Sequence, residues 1–221
     1  MTTQTGSIAD QVTRLKTAMA GQAPVEVLAV FEAEQAELNT AGVPATAAAP
    51  GTRLPDVELI TAEGSLVSLH TVTGGRPAVI VFYRGAWCPY CNIALKTYQD
   101  QLLPALAERG AALVAVSPQR PDGSLTMQQK HALEFPVLSD PGNALAGALG
   151  ILTEPTAGAR EAQAKVGLDL TSENADGTHT VPMPTVVITD ANHTVRWIDI
   201  HPDYTARSEP AAILAALDAA Q

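Results

Sequence analysis

Apolar positions at the start of the chain recur at Ile8, Val12, Leu15 and Met19, the spacing of one helix face. Ser7, with Asp10 three residues on, resembles a capping box at its start. Pro24 opens a second helical segment with apolar residues at Val27, Leu28, Phe31 and Leu38. Residues 39–55, rich in Pro, Gly and small side chains, read as a linker. Residues 57–60 and 66–69 flank Ala62-Glu63-Gly64-Ser65 and predict a hairpin. Residues 78–83 form an unbroken apolar run, the pattern of a strand buried on both faces. A helical stripe follows at Leu95, Tyr98, Leu102 and Leu106, ending near Gly110. Next come an apolar strand over 111–116, a helix over 124–133, a short strand over 135–138 and a helix over 143–149. This alternation calls for an α/β sheet with parallel strands.

Residues 152–184 are less regular, with a helix expected near 159–166 and a polar loop over 172–180. Residues 186–189 and 194–200 flank Asp190-Ala191-Asn192-His193 and predict a second hairpin. Ser208 is the expected N-cap of a closing helix over 211–219, with Pro210 in its first turn. The division is therefore a helical extension over residues 1–45 and one α/β domain over 46–221. Two amphipathic helices ahead of the main domain need a surface to cover, which their own domain or a second copy of the chain in a homodimer would supply.

Between the strand at 78–83 and the helix that follows stands Arg84-Gly85-Ala86-Trp87-Cys88-Pro89-Tyr90-Cys91, holding the only two cysteines of the chain. A strand feeding a helix through this run puts both sulfurs in the first helical turn, where free N–H groups and the helix dipole favour a thiolate. Pro89 suits that turn, because no N–H bond is lost there. The spacing lets the sulfurs join as a disulfide, but the loop it would close is too small to be a useful staple. From Gly64 through Gln99 there is no Asp or Glu, while Arg76, Arg84 and Lys96 are present. In a chain of formal charge −10 this removes the carboxylates that would raise a thiol and leaves cations that lower it, Arg84 being the local candidate.

Charge and composition narrow the alternatives. With 23 acids against 13 bases and no basic cluster, nucleic acid is not an expected partner. No apolar stretch approaches a membrane span, and residues 1–22 lack the pattern of a secretion signal, so the expectation is a cytoplasmic protein off the membrane. Zinc at Cys88 and Cys91 would need two further ligands, and the five histidines form no close pair, so neither metal nor cofactor is expected. Two inert core cysteines fit poorly with their Trp-Cys-Pro-Tyr-Cys context. His131 and His201 read as surface residues, His179 as a loop histidine, and Asp199 and Asp203 as strand-end and turn residues.

Trp87-Cys88-Pro89-Tyr90-Cys91 after an apolar strand resembles the active site of thioredoxins and glutaredoxins. Downstream, the chain resembles a peroxiredoxin of the alkyl hydroperoxide reductase C / thiol-specific antioxidant type. That likeness rests on Pro55-Asp56, Phe82-Tyr83, Val116-Ser117, Phe135-Pro136-Val137-Leu138-Ser139-Asp140 and Leu149-Gly150-Ile151. It continues through Val187-Ile188-Thr189-Asp190 and Thr194-Val195-Arg196-Trp197. The resemblance implies a thioredoxin fold in its peroxiredoxin-like variant, a central mixed sheet flanked by helices.

Two alignments of the active site assign roles differently. Under a peroxiredoxin's Pro-x-x-x-Thr-x-x-Cys, Cys91 takes the peroxide-attacking place, Cys88 replaces the threonine and Arg84 the proline. Under a thioredoxin, Cys88 attacks and Cys91 resolves; the strand Asp of that family is here Phe82. Pro184, before the strand at 186–189, matches the cis-proline that faces the dithiol in thioredoxin-like folds, with Thr185 after it. Trp87, Pro89 and Tyr90 are expected to shape the site. Peroxiredoxins often carry a peroxide-holding arginine near Pro184; none lies between Arg160 and Arg196, and Arg84 is the expected substitute.

The leading expectation is a thiol-dependent peroxidase that reduces hydrogen peroxide or organic hydroperoxides through a Cys88–Cys91 disulfide. An external thiol, thioredoxin-like or of low molecular weight, would reduce that disulfide. The alternatives are a thioredoxin-like or glutaredoxin-like reductase of disulfides with Cys88 attacking, and a non-enzymatic redox sensor.

Overall fold

The structure is a computed structural model and describes residues 6–21 and 24–220. Helix α1 (Ile8–Met19) begins at Ser7, whose side chain accepts from the Asp10 N–H as the capping pattern predicts. Helix α2 (Val25–Ala41) follows with Pro24 as its N-cap. The hairpin of β1 (Glu58–Ile60) and β2 (Leu66–Ser68) leads to α3 (Leu69–Thr73) and the central strand β3 (Ala78–Phe82). Helix α4 (Pro89–Thr97) continues through a π-helical turn (Tyr98–Leu102) into α5 (Leu103–Glu108). Pro104 has no N–H to return to the preceding turn, which accounts for the widened turn there.

The remaining elements are β4 (Ala112–Ser117), α6 (Pro121–His131), β5 (Val137–Ser139), α7 (Ala144–Ala148) and β6 (Leu152–Thr153). After them come α8 (Ala157–Lys165), α9 (Leu170–Glu173), β7 (Val181–Pro182), β8 (Thr185–Thr189), β9 (Val195–Ile200) and α10 (Pro210–Ala219). Seven strands form one mixed sheet in the order β2-β1-β5-β4-β3-β8-β9, while β6 and β7 pair separately. Strands β3, β4 and β5 run parallel, and β8 and β9 are antiparallel additions at one side.

Strand β3 is buried along its whole length, and its alternate side chains feed two cores. Val79 and Val81 join a cluster with Leu95, Tyr98, Leu102 and Leu106, the stripe legible in the sequence. Ala78, Ile80 and Phe82 join the opposite cluster with Val114, Val116 and Leu145. Each fully buried Leu or Phe adds roughly 1.5–3 kcal/mol relative to exposure. Ile8 and Val12 of α1 enter the first cluster, so the extension packs against the body of the chain. Among the described residues no helix is long and apolar enough to cross a membrane.

Three expectations need correction. Helix α6 starts at Pro121 rather than 124, because a proline at N1 forfeits no helical bond. The polar loop at 172–180 is partly ordered, with α9 reaching Glu173 and Asn174 Nδ2 donating to the Thr178 and Thr180 carbonyls. Ser208 is not the N-cap of α10; Glu209 is. Ser208 instead donates its hydroxyl to Asp199 Oδ2 at 2.8 Å, and its carbonyl accepts from the Tyr98 hydroxyl at 2.7 Å.

Candidate functional site

The dithiol sits where the end of β3 turns into α4. Gly85 has φ +153°, and a Cβ there would run into the Trp87 indole, so the turn requires glycine. Cys88 is the N-cap of α4 and Pro89 its first helical residue. The Cys88 carbonyl accepts from the N–H groups of Cys91 and Asn92, both at 3.1 Å. Both cysteines are free and buried.

Two buried amides hold this loop. Asn92 Nδ2 donates to the carbonyls of Ala86 and Cys88, each at 2.8 Å. Asn92 Oδ1 is therefore the acceptor facing His131 Nε2 at 2.8 Å, and that nitrogen carries the proton. Burial first, then the charges of Lys130 and Lys96, hold the His131 pKa below its ordinary value. His131 is thus a partner of the dithiol helix and not a plain surface residue. On the other side, Gln119 Oε1 accepts from the Ala86 N–H at 2.6 Å, and its Nε2 donates to the Tyr83 hydroxyl at 2.8 Å.

The cation nearest the sulfurs is Arg207, from the segment between β9 and α10. Its Nη2 lies 3.0 Å from Cys91 Sγ and 3.9 Å from Cys88 Sγ. Its Nη1 donates to the Tyr204 carbonyl at 2.7 Å and also to that of Ala206. Among the described residues Arg207 makes no ion pair with a carboxylate. A partly buried guanidinium without an acid calls for another anion, and a Cys91 thiolate is the group in reach.

Burial pushes the Cys91 thiol up, but the Cys88 S–H, the Arg207 charge, the Arg84 main-chain N–H and the Arg207 hydrogen bond hold it well below its usual range. Cys88 goes the other way. Burial, its hydrogen bond to Cys91 and the charge there raise it, outweighing the pull of Arg207 and Arg84. The two directions set the pair apart, Cys88 toward the thiol and Cys91 toward the thiolate.

Arg84, the cation expected from sequence, occupies a different place. Its guanidinium lies between two rings, 5.0 Å from the Trp87 centroid and 4.4 Å from that of Tyr204. Its charge bears on Cys88, while its backbone N–H serves Cys91. Arg84 Nε and Trp87 Nε1 are buried without a hydrogen-bond partner among the described residues. Tyr204 is pushed up to about 12 by burial. Arg84 and Tyr204 line a cleft with Glu34, Pro182, Met183 and Pro184. Pro184 therefore lies near the site, but the Met183–Pro184 bond is trans. The main chain is pinned on both sides, by Met183 N–H to the Ile151 carbonyl and by His201 N–H to the Pro184 carbonyl. Thr185 is buried with its hydroxyl donated to the Met183 carbonyl at 2.9 Å. Tyr90 is half-buried and packs against the core that holds the cysteines.

The acid-free window of the sequence is not acid-free in space, since Asp203 bears on Tyr90 and Glu34 lines the cleft. His201 is likewise more than a surface residue, standing 3.1 Å from Asp199 Oδ2 and 3.3 Å from Ser208 Oγ. Nothing local marked Arg207, Gln119 or Tyr204 in the sequence. Asn92 alone stood beside the motif, where a polar residue on the buried side of a helix could have been noticed.

Comparison with known proteins agrees with this architecture. A Mycobacterium tuberculosis protein carrying a provisional peroxiredoxin name is 32% identical over 105 residues, which are 48% of this chain and 66% of that protein. The chain thus accounts for slightly less than two-thirds of that relative's length. The thiol-disulfide oxidoreductase ResA of Bacillus anthracis is 26% identical over 107 residues, 48% of this chain and 60% of ResA. Among solved structures, the peroxidoxin BcpB of Mycobacterium tuberculosis superposes with a TM-score of 0.59 at 22% identity. That likeness covers 78% of this chain and 97% of BcpB. Prx3 of Vibrio vulnificus, solved reduced with hydrogen peroxide, gives 0.62 at 21% identity over 77% of this chain and 99% of its own. These superpositions establish a peroxiredoxin-like thioredoxin fold. The AhpC/TSA family profile matches residues 50–198, two-thirds of the sequence, and the chain belongs to that family.

Proposed function

We propose that the chain is a thiol-dependent peroxidase in which Cys91 attacks and Cys88 resolves. The observation that carries this is the unequal approach of Arg207, 3.0 Å from Cys91 Sγ against 3.9 Å from Cys88 Sγ. The Cys91 thiolate attacks one oxygen of a hydroperoxide, the O–O bond breaks, and the alkoxide or hydroxide leaves with a proton as alcohol or water. Cys91 becomes a sulfenic acid. The Cys88 sulfur displaces its hydroxyl as water, forming the Cys88–Cys91 disulfide. An external dithiol, or two thiols, returns two electrons and two protons. Cys88 stands where the peroxiredoxin alignment has a threonine hydroxyl, and its S–H is likewise a donor to Cys91.

The remaining parts of this reading rest on the sequence. They are a cytoplasmic setting, a thioredoxin-like or low-molecular-weight thiol as reductant, pairing of two copies, and the division at residue 45. Arg84 is assigned to the cleft wall, where its charge would meet an incoming peroxide.

The test is one equivalent of hydrogen peroxide on reduced protein. Wild type should lose both thiols and gain one intramolecular disulfide, while Cys88→Ser should yield a dimedone-trapped sulfenate on Cys91. The ResA likeness favours a second reading, disulfide reduction begun by Cys88. That reading requires the opposite result: no fast thiol loss with peroxide, and a mixed disulfide on Cys88 in Cys91→Ser.

A further inference from the structure

Arg207 lies outside the matched family region, and so do both helices of the extension. These outlying parts meet. From α1, the N–H groups of Ile8 and Ala9 donate to Glu209 Oε2 and Oε1 at 3.0 and 2.9 Å. Lys16 Nζ donates to Thr205 Oγ1 at 3.0 Å. From α2, Gln35 Nε2 donates to the Pro202 carbonyl at 3.1 Å, and its Oε1 accepts from the Tyr204 N–H at 3.0 Å. The Tyr204 hydroxyl donates to the Phe31 carbonyl at 3.3 Å.

The segment from 202 to 209 belongs to no regular element before Pro210. Its irregular backbone has no ladder of its own to fix it, so side chains must do so. The extension bonds to it at Pro202, Tyr204, Thr205 and Glu209, on both sides of Arg207. The carbonyls that orient the guanidinium are those of Tyr204 and Ala206, inside the fastened stretch. Tyr204 also carries one of the two rings against Arg84. Pairing Arg207 with a sulfur 116 residues away depends on where this segment lies, and α4 alone cannot hold it.

We propose that α1 and α2 are positioning elements of the dithiol site: by fastening residues 202–209, Gln35 and Glu209 keep the Arg207 guanidinium against Cys91. This rests on Cys91 being the thiolate. The extension supplies placement, and among the described residues the side chain hydrogen-bonded to the sulfurs is that of Arg207 and none of the extension's.

Its test is the ultraviolet thiolate absorbance of Cys88→Ser protein, in which Cys91 is the only thiol, followed against pH. Gln35→Ala and Glu209→Gln, each added to Cys88→Ser, should move the Cys91 midpoint upward by about one pH unit, the low end of what a displaced neighbouring charge removes. Adding Arg207→Met should abolish that effect, so that Gln35→Ala then moves the midpoint no further. A merely structural Gln35 would lower the melting temperature and leave the midpoint unmoved, and that result overturns the inference. Should Gln35→Ala not fold, Lys16→Met at the exposed end of α1 carries the same expectation on a smaller scale. If Cys88→Ser alone titrates in the ordinary thiol range, the reading of Cys91 as nucleophile fails first. If it titrates low and the extension variants do not move it, only the positioning role fails.

Discussion

Arg207 Nη2 and Cys91 Sγ stand 3.0 Å apart, joined across the molecule by a guanidinium that pairs with no carboxylate among the described residues. In the proposed cycle the Cys91 thiolate and this cation are each other's counter-charge. Arg207→Met should therefore raise the Cys91 midpoint by about 1–3 pH units and slow its reaction with peroxide at neutral pH correspondingly. Thiolate absorbance and stopped-flow thiol loss check the two effects. Arg207→Lys should recover only part, because an ammonium cannot also hold the two loop carbonyls in a planar fork.

Arg84→Met tests the other cation. Its backbone N–H to Cys91 survives the substitution, and its charge acts on Cys88. The Cys91 midpoint should move much less than in Arg207→Met. Loss of the stacked cation between Trp87 and Tyr204 should lower stability by about 1–2 kcal/mol in denaturant titration.

Asn92→Ala removes the side-chain donor of the Ala86 and Cys88 carbonyls, leaving the Cys88 carbonyl its main-chain donors alone. The expected cost is about 1–3 kcal/mol, read from urea unfolding of the reduced protein. Disulfide closure after peroxide should slow as well, since the loop that sets the Cys88 sulfur is no longer tied to α4. His131→Gln, which keeps a donor near Asn92 Oδ1, should be the milder of the two variants.

The paired thiols also predict a pH profile for the reduced fold. Cys91, depressed in the folded state, contributes stability that is full above the unfolded thiol value of about 8.5 and lost as pH falls through its folded value. Cys88, raised in the folded state, contributes stability that is full below about 8.5 and lost as pH rises through its folded value. The urea midpoint of reduced protein should therefore climb from neutral pH to about 8.5 and decline beyond it. In Cys88→Ser the climb should persist, and in Cys91→Ser it should vanish. A flat profile in Cys88→Ser would contradict the assignment of the low value to Cys91.

Legibility in the sequence followed locality. Strand β3, the turn into α4 and both hairpins carry their signal within a few neighbouring residues, as apolar runs, Pro at N1 and turn chemistry. The buried stripe Leu95, Tyr98, Leu102 and Leu106 survives a π-helical turn in its midst, because its packing face is set by period and not by the bonding pattern. What was not legible comes from the tertiary fold. Arg207 lies on a segment with no periodicity, and only the return of β9 past β8 brings it to the dithiol. Arg84 drew attention by adjacency, yet its guanidinium turns to Trp87 and Tyr204. Ser208 had the side chain of a cap, but Asp199 claims its hydroxyl. The acid-free window described neighbours along the chain, whereas Glu34 and Asp203 arrive from elsewhere.

The central claim is that Cys91 strikes first. Its most direct measurement is stopped-flow thiol loss after hydrogen peroxide is mixed with reduced Cys88→Ser and reduced Cys91→Ser at neutral pH. The account predicts fast loss in Cys88→Ser, which retains Cys91, and slow loss in Cys91→Ser. Fast loss in Cys91→Ser alone would contradict it.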